Sequence, residues 1–265
     1  MKISIITISF NDKEGLHRTL EHVRCQSNHD YEYIVIDGDS TDGSRELIEQ
    51  YADIITYSVS EKDNGPFDAM NKGIAKASGD YCIFMNSGDS FYDAQVIDSF
   101  IGINPTKDIY TGIAAEHING IIRNWYPVEE NKLSMRFFYR NAISHQASFI
   151  KTSLMKEMLY DTNFRIISDW KFFVEALIIK NVSYCTLPFI VANYMDGGIS
   201  RNEEKAFAER EAALEDLFGL RVMRDFHSMQ YGVNEWDALA KKVDPKSKIG
   251  RLIMIMTKFM LNFRR

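Results

Sequence analysis

Cysteine is scarce in this chain of 265 residues, and its three copies, Cys25, Cys82 and Cys185, lie far apart. No C-x-x-C pair or Cys/His cluster with metal-ligand spacing occurs, so a zinc-ribbon type of site is excluded and a reducing compartment, the cytoplasm, is expected. No window of 18 apolar residues exists, and the first ten residues are too short for a signal peptide. We therefore expect no membrane-spanning helix.

Two phosphate-binding signatures are also missing. Neither G-x-G-x-x-G nor G-x-x-x-x-G-K-[ST] follows the first predicted strand, which argues against a dinucleotide cofactor and a P-loop. The net charge of −6 argues against a nucleic-acid partner, which usually requires a basic face. With 45% hydrophobic residues, the composition is that of an ordinary globular protein.

What the sequence does contain is a regular alternation of strands and helices over its first ninety residues. Four apolar runs predict strands at Ile3–Ile8, Tyr31–Ile36, Ile54–Val59 and Tyr81–Met85. Helical periodicity separates them, and Pro66 suits the first turn of the third helix. This order predicts an α/β fold with a Rossmann-like, mostly parallel central sheet flanked by helices.

The second half of the chain is less regular. Short strands are predicted over 108–114, 120–126 and 143–150, a helix over 168–180 and an extended segment over 182–195. A strongly helical segment begins at Glu203. We predict one domain over residues 1–200 and a helical C-terminal extension over residues 201–265.

The most informative segment is IFMNSGD, residues 83–89, in which an apolar run ends abruptly in polar residues. Similar groups follow the other strands, and parallel strands direct all their carboxyl ends to one edge of the sheet. An edge rich in carboxylates and amides, with few basic side chains, suits a nucleotide bridged by a divalent cation. The polar groups are Thr7, Ser9, Asn11, Asp37, Asp39, Asp63, Asn64, Asp68, Asn71, Lys72, Asn86 and Asp89.

Several of these segments, in order, resemble the family 2 inverting glycosyltransferases, which have the GT-A fold. The segments are TISFN after the first strand, IDGDSTDGS after the second, DNGPFDAMNKG, and SGDY followed by MNSGD. Later, SHQASF and ISDWKF are similar to the acceptor half of that family. The resemblance covers roughly residues 1–200 and is of the bacterial surface-glycan type.

The resemblance implies roles for individual residues. Asp37 matches the acid that recognises the nucleotide base, Asp89 the metal-binding acid and Asp169 the catalytic base. The expected cofactor is Mn²⁺ or Mg²⁺. The remaining donor-side residues are Thr7, Ser9, Asn11, Asp68, Asn71, Lys72, Asn86 and Ser87, and the acceptor-side residues are His145 and Trp170.

The chain departs from the usual family pattern in three places. The common Asp-Asp-Gly-Ser is Asp37-Gly38-Asp39-Ser40, Asn86 stands where Asp is frequent, and Met70 stands where Arg is frequent. Asn86 offers an oxygen but no charge, which implies a weaker hold on a metal ion or one that relies on Asp89 and the diphosphate.

Each role has a plainer alternative. Asp169 could simply cap its helix with Ser168, and Trp170 and His145 could be core residues. Lys72 could be a solvated helix residue, whereas Asp39 and Asp42 could only shape the turn. These alternatives stay open on the sequence.

The expected activity is a metal-dependent, inverting transfer of a sugar from a nucleotide-sugar donor, with UDP the expected nucleotide, to a glycan or lipid-linked acceptor. A sugar-nucleotide nucleotidyltransferase and a non-catalytic glycan-binding scaffold are the alternatives. The sequence does not define the sugar, the acceptor, the linkage or the oligomeric state.

The C-terminal segment, residues 246–265, is cationic and apolar. Between residues 241 and 265 eight basic residues stand against Asp244 alone. Such a segment could lie in the interface of an anionic membrane, or it could pack as a terminal helix on protein.

Removing residues 246–265 should abolish binding to anionic vesicles while nucleotide binding stays intact. Each Lys or Arg near an anionic leaflet contributes about 1 kcal/mol, so raised salt should weaken the vesicle binding of the intact chain. Vesicle co-sedimentation of the two chains, with zwitterionic vesicles as the control, measures this. A full-length chain that ignores anionic vesicles contradicts the membrane interpretation.

Overall fold

The computed structural model describes residues 1–118, 120–195 and 203–242. The chain divides into two compact units, residues 1–209 and residues 210–265. The strands are β1 (Ile3–Ser9), β2 (Tyr31–Asp37), β3 (Tyr57–Ser60), β4 (Tyr81–Phe84), β5 (Ser90–Phe91), β6 (Ile109–Ile118), β7 (Ile121–Trp125), β8 (Ser148–Lys151) and β9 (Tyr184–Met195). The helices are α1 (Lys13–Arg24), α2 (Ser44–Gln50), α3 (Pro66–Lys76), α4 (Val96–Gly102), α5 (Met135–Arg140), α6 (Thr152–Met158), α7 (Ser168–Val174) and α8 (Glu203–Lys242).

One sheet contains all nine described strands, in the order β3-β2-β1-β4-β8-β6-β9-β5, with β7 paired to β6. The first four strands are parallel, and the register places Ser9 opposite Asp37 and Ile6 opposite Phe84. Beyond β4 the sheet is mixed, because β8 runs antiparallel to both β4 and β6 while β9 runs parallel to β6. The predicted α/β class is confirmed, and its parallel part is the first four strands.

Both faces of the parallel half are covered, which is why its strands are apolar throughout. Alternate residues such as Ile3 and Ile5 pack with Leu16 and Leu20 of α1 in one core cluster. On the opposite face α3 lies so close to β1 that a Cβ at Gly73 would come within 2.5 Å of Ile6 Cγ2. Glycine at position 73 therefore allows the helix its close approach to the sheet.

Some element boundaries differ from the predictions. Ile54 and Ile55 were expected in the third strand, but their N–H groups donate to the carbonyl of Tyr51 in the turn after α2, so β3 begins at Tyr57. The predicted helix 168–180 is α7 followed by a π-helical turn over Glu175–Ile179. Helices α4, α5 and α6 are too short to give a clear period in the sequence.

The loop that precedes α7 is fastened by polar contacts to α3 of the parallel half and to α7 itself. The amide of Asn71 on α3 donates to the carbonyl of Tyr160 and accepts its N–H, both at 2.8 Å. Asp161 then forms an ion pair of 2.6 Å with Lys171, a residue of α7 that is buried. These contacts fix the position of α7 relative to the sheet edge.

Helix α8 contains Gly219 with φ of 76°, which interrupts its helical geometry. The predicted boundary between residues 200 and 201, and the segment 246–265, lie outside the described residues. Within the described ranges, none of the helices has the length and apolar character that crossing a bilayer requires.

Candidate active site

The loops after β1 and β2 hold each other at the carboxyl edge of the sheet. The N–H of Asn11 donates to Ser40 Oγ at 2.8 Å, and the N–H of Thr41 donates to Asn11 Oδ1 at 2.9 Å. Asn11 has φ of 49°, a left-handed conformation that Asn tolerates better than most residues. Asn11 thus links the two loops. They lie at the same edge of the sheet, where the sequence predicted them.

Asp37 at the end of β2 is fully buried, and both of its carboxylate oxygens are engaged. Ser40 Oγ donates to Oδ1 at 2.5 Å, while the N–H of Ser40 and Ser60 Oγ donate to Oδ2 at 2.9 and 2.6 Å. The carboxylate therefore ties the turn after β2 to the end of β3. Its predicted contact with a nucleotide base stays a prediction.

Two further predicted donor residues lie inside the sheet. Thr7 is buried, with its hydroxyl donating to the carbonyl of Met85 at 2.6 Å and lying 2.9 Å from the Tyr33 hydroxyl. Ser9 is only 6% exposed, and its hydroxyl has no hydrogen-bond partner among the described residues. Of the two, Ser9 retains a hydrogen-bonding group at the strand end.

Phe10 and Asp63, to which the resemblance gave no individual role, lie together at this edge of the sheet. Phe10 follows β1 and is 64% exposed, which is unusual for a phenylalanine. A Cβ at Gly38 would lie 3.1 Å from Phe10 Cδ2 and 2.7 Å from Asp63 Oδ2. The ring and the carboxylate therefore flank the surface of Gly38. An apolar residue among the polar residues of TISFN was the signal that could have revealed Phe10.

The turn Asn86–Asp89 is hydrogen-bonded to α1 and to Asp12, the residue that caps this helix. Thr19 Oγ1 lies 2.7 Å from the carbonyl of Asp89 and accepts the N–H of Gly88, which has φ of 93°. The hydroxyl of Ser87 donates to Asp12 Oδ2 at 2.7 Å. Thr19 and Asp12 thus fix the turn that ends β4, a role that their positions on a predicted helix did not reveal.

Asp89 is 8% exposed, and burial raises its pKa to about 7 although the nearby charge of His145 opposes that shift. Asn86 Oδ1, next to it in the same turn, is buried with no hydrogen-bond partner among the described residues. The described residues contain no group of three or more His, Cys, Asp or Glu placed to hold a metal ion. The turn thus offers a carboxylate and an amide oxygen, which fits a Mg²⁺ or Mn²⁺ ion that takes its other ligands from substrate phosphates and water.

His145 connects this turn to α7. Its Nδ1 lies 2.8 Å from Asp169 Oδ2, and its Nε2 lies 3.3 Å from Asn86 Nδ2. Burial alone would lower the pKa of His145, but the hydrogen bond and charge of Asp169, with the charge of Asp89, raise it overall. His145 is therefore a largely buried, hydrogen-bonded histidine, as the alternative interpretation held, and its expected contact with the acceptor stays a prediction.

Asp169 is the second residue of α7, and its side chain is 21% exposed. Its Oδ1 accepts the N–H of Trp170 at 2.8 Å, whereas Oδ2 faces His145. The N-cap residue Ile167 makes no side-chain cap hydrogen bond, and Ser168 Oγ is buried without a partner among the described residues. Ser168 therefore does not cap this helix, whereas Asp169 accepts an N–H of its first turn and remains partly accessible. The role of Asp169 as the catalytic base stays a prediction.

Trp170 occupies the core, as the alternative interpretation held. It is 2% exposed, and its indole N–H points to the carbonyls of Phe138 and Asn141 at 2.9 and 3.1 Å. Its face is therefore closed to an acceptor sugar. The exposure of Trp170 thus gives no support to its expected acceptor-side contact, which stays a prediction.

The cluster on α3 is also largely engaged within the protein. Lys72 forms an ion pair with Glu61 at 2.8 Å and donates to the carbonyl of Lys62, and Asp68 accepts the N–H of Asn64 at 2.9 Å. Asn71 has both amide atoms on Tyr160, as described above. These three side chains thus contact other parts of the protein, and their expected contacts with the donor stay a prediction.

A parallel half with polar strand-end loops, joined to a mixed half that brings a carboxylate to the same edge, is the architecture of GT-A glycosyltransferases. Residues 4–155 match the sequence profile of Glycosyl transferase family 2, and the chain belongs to that family. It is therefore a glycosyltransferase, and the sequence resemblance is confirmed.

Relatives and solved structures agree with this assignment. An uncharacterized glycosyltransferase of Mycobacterium tuberculosis is 33% identical over 85% of this chain and 84% of its own length. A PGL/p-HBAD biosynthesis glycosyltransferase of Mycobacterium bovis is 26% identical over 83% of this chain and 87% of its own.

Among solved structures, Staphylococcus aureus TarS in complex with UDP-GlcNAc has a TM-score of 0.62 at 18% identity. The match covers 75% of this chain and 59% of the TarS chain. A mannosyltransferase of Pyrobaculum calidifontis in complex with GDP-Man and Mn²⁺ has a TM-score of 0.55 at 13% identity, over 96% of this chain and 68% of that chain. At such identities the likeness concerns the fold alone.

The buried carboxylate of Asp89 should cost stability above neutral pH. Because burial raises its pKa to about 7, the folded chain favours the protonated form, and stability is lost as pH rises through that value. Asp89→Asn should therefore raise the melting temperature of the metal-free chain at pH 8 by a few degrees, since about 1 kcal/mol corresponds to ~2–4 °C at this size.

At pH 5 the difference in melting temperature between Asp89→Asn and the parent chain should shrink, because Asp89 is then protonated in the folded chain. Calorimetric melting in chelator at both pH values measures this effect. Asp93→Asn, which removes an exposed carboxylate from the same region, should show no such pH-dependent gain. If Asp89→Asn and the parent chain melt at the same temperature at pH 8, the raised pKa of Asp89 is contradicted.

Proposed function

We propose that this chain is an inverting glycosyltransferase that moves a sugar from a UDP-sugar, with Mg²⁺ or Mn²⁺, to a glycan or lipid-linked acceptor. The observation that carries the proposal is a chain of contacts from Asn86 through His145 to Asp169. Asn86 Nδ2 lies 3.3 Å from His145 Nε2, and His145 Nδ1 lies 2.8 Å from Asp169 Oδ2, so the turn after β4 is joined to the start of α7. A strand-end turn for the donor and a carboxylate for the acceptor are thereby held at one edge of the sheet.

Asp169 is proposed as the general base. In an inverting transfer the acceptor hydroxyl attacks the anomeric carbon from the face opposite the leaving diphosphate, and a base removes the hydroxyl proton. Asp169 has one oxygen on the N–H of Trp170 and the other on His145, so its orientation is fixed while it remains partly accessible. General-base assistance of this kind contributes roughly 10²–10⁴ to the rate.

His145 is proposed as the residue that positions this base. Its Nδ1–H donates to Asp169 Oδ2, and Nε2 of the neutral ring accepts from the amide NH₂ of Asn86. Burial alone would lower the pKa of His145, but the hydrogen bond and charge of Asp169, with the charge of Asp89, raise it overall. As Asp169 accepts a proton its charge is neutralised, and the hydrogen bond from His145 keeps the carboxyl group in place. His145 thus acts through Asp169 and through the turn that holds Asn86.

The donor is proposed to lie over the strand ends, with its base near the loops after β1 and β2 and its diphosphate near the turn Asn86–Asp89. The unpaired Ser9 hydroxyl and the exposed ring of Phe10 support the first placement. The unpaired Asn86 Oδ1 and the carboxylate of Asp89 support the second. A divalent ion bound there would offset the charge that develops on the leaving diphosphate.

The biological setting is proposed from the names of the relatives. One is a PGL/p-HBAD biosynthesis glycosyltransferase. A Bacillus subtilis glycosyltransferase named for teichuronic acid biosynthesis is 35% identical over 34% of this chain and 36% of its own length. We propose that this chain works in the synthesis of a bacterial surface glycan, in the cytoplasm, with its segment 246–265 on the inner face of the membrane.

An assay of released products separates this proposal from its alternatives. Incubation with a panel of nucleotide sugars should give a nucleoside diphosphate from a transferase. A nucleotidyltransferase should instead release pyrophosphate when it is given a nucleoside triphosphate and a sugar 1-phosphate. A glycan-binding scaffold should give neither product. Whether a nucleoside diphosphate or pyrophosphate is released therefore identifies the reaction class before the acceptor is known.

Asp169→Asn should reduce transfer by roughly 10²-fold or more while donor affinity stays unchanged. The substitution keeps the size of the side chain and the acceptor for the Trp170 N–H but removes the proton acceptor. Turnover and donor calorimetry on the same preparations measure the two effects. Glu175→Gln, in the π-helical turn that follows α7, is the control and should keep parental turnover. Parental transfer by Asp169→Asn would place the base elsewhere.

Metal binding should depend on the nucleotide. Because the turn offers one carboxylate and one amide oxygen, Mn²⁺ alone should bind weakly, and UDP should raise its affinity by tenfold or more. Asp89→Asn should remove that coupling. Titration of Mn²⁺ by calorimetry, with and without UDP, measures it. Tight Mn²⁺ binding without nucleotide, or unchanged coupling in Asp89→Asn, would contradict the proposed metal ligand.

A further inference from the structure

The hairpin formed by β6 and β7 exposes a run of large apolar and aromatic side chains. Ile121 is 70% exposed, Ile122 60%, Trp125 44% and Tyr126 73%. All of β7 is exposed, and in the part of the chain that the structure describes no strand pairs with the side of β7 that faces away from β6. In the single chain these side chains therefore lie in water, and a contiguous exposed apolar surface of this kind marks an interaction site.

The hairpin extends from the edge of the sheet that carries the candidate site. Because β8 runs antiparallel to both β4 and β6, β6 points in the same direction as β4. Ile150 of β8 lies opposite both Cys82 of β4 and Ile109 of β6, so these two strands are level there. β4 ends at Phe84, whereas β6 continues to Ile118, about 20 Å further along the strand direction. The tip of the hairpin thus projects beyond the turn that follows β4.

The tip of the hairpin is apolar on both of its faces. Ile118 and Ile121 form the last pair of β6 and β7. Ile122 comes next, and because side chains alternate along a strand it points to the face opposite that of Ile121. A second protein strand paired to the free edge of β7 would leave both faces in water. A lipid bilayer surrounds an inserted tip and removes both faces from water at once.

Further from the tip, the hairpin carries residues that suit the boundary between lipid and water. Arg123 lies opposite Glu116 in the strand pairing, so this level has no net charge. The guanidinium carbon of Arg123 lies 5.0 Å from the ring centroid of Trp125, whose indole N–H donates to Glu116 Oε2 at 2.7 Å. Tyr126 follows directly. Tryptophan and tyrosine, which combine an apolar body with a polar group, are enriched at this boundary in membrane proteins.

We propose that the tip of the β6–β7 hairpin inserts into the surface of a lipid bilayer, with its isoleucines among the acyl chains and Trp125 and Tyr126 at the level of the headgroups. A depth of about 5–10 Å is that of a peripheral protein. Because the hairpin projects from the edge that carries the candidate site, the site then faces the bilayer. Access to a lipid-linked acceptor is a consequence that rests on the proposed function, whereas the insertion itself does not.

The hairpin has too few apolar side chains to hold the chain at a membrane alone. Stable peripheral binding takes two signals, such as an apolar group and a basic segment, and residues 246–265 would supply the second. The two contributions differ in their response to salt. Screening weakens the attraction between charges, but it does not weaken the burial of apolar side chains.

Co-sedimentation of the full chain with vesicles of phosphatidylcholine and phosphatidylserine tests the proposal. Ile121→Thr/Ile122→Thr keeps β-branched side chains in β7 and should weaken vesicle binding by tenfold or more, because two large apolar side chains lose their burial. The ratio between parent and variant should be the same at low and at raised salt. Ile103→Thr/Ile179→Thr, which makes the same change at exposed positions outside the hairpin, should bind as the parent chain does.

The fluorescence of Trp125 reports insertion without any change to the tip. Lipids that carry a quencher on the headgroup should quench the tryptophan emission of the vesicle-bound parent chain more strongly than lipids labelled deep in the acyl chain. Trp125→Phe should lose this quenching, and the part that it loses reports the depth of Trp125. Trp170 is buried in the protein and is shielded from both lipids.

Parental vesicle binding by Ile121→Thr/Ile122→Thr overturns the proposal, as does emission of Trp125 that neither lipid quenches. A parent chain that sediments as a dimer, with a monomeric hairpin variant that binds vesicles equally well, overturns it too and makes β7 an interface between two copies. Calorimetry with UDP keeps the proposed function apart, because the hairpin variant should bind UDP with parental affinity. A chain that inserts its hairpin but binds no nucleotide contradicts the proposed function and supports the insertion.

Discussion

The parallel pairing of β2, β1 and β4 is the constraint on which the rest of the site depends. Backbone hydrogen bonds fix Ser9 opposite Asp37 and Ile6 opposite Phe84, so the three strands end at one edge. A slip of one residue would turn each buried side chain to the other face of the sheet, where helices cover both sides. The register therefore also sets where the loops with polar groups begin.

Two carboxylates at this edge are placed in different environments. Asp89 is buried, and burial raises its pKa to about 7, whereas Asp169 receives two hydrogen bonds and stays partly accessible. Environments that treat two acids differently are how a site assigns them different tasks. The buried carboxyl group of Asp89 also lowers the stability of the fold, and proteins tend to keep such destabilising residues at functional positions.

The parallel and mixed halves of the sheet are joined by polar contacts of high geometric specificity. Asn71 holds the backbone of Tyr160, Lys171 pairs with Asp161, and His145 bridges Asn86 and Asp169. The first two contacts position α7, and the third aligns its carboxylate with the turn after β4. Asn71, which the resemblance placed on the donor side, thus helps to fix the position of α7 and of Asp169.

The sequence by itself determined the α/β class, the family and the edge of the sheet at which Asn11, Asn86 and Asp89 lie, because apolar period and chain order are local properties of the sequence. Only the tertiary structure decided that Asp37 is closed by Ser40 and Ser60, that Trp170 is core, and that Phe10 and Asp63 flank Gly38. Those outcomes depend on contacts between residues far apart in the chain, and no local pattern encodes which of several polar residues has its oxygens already engaged.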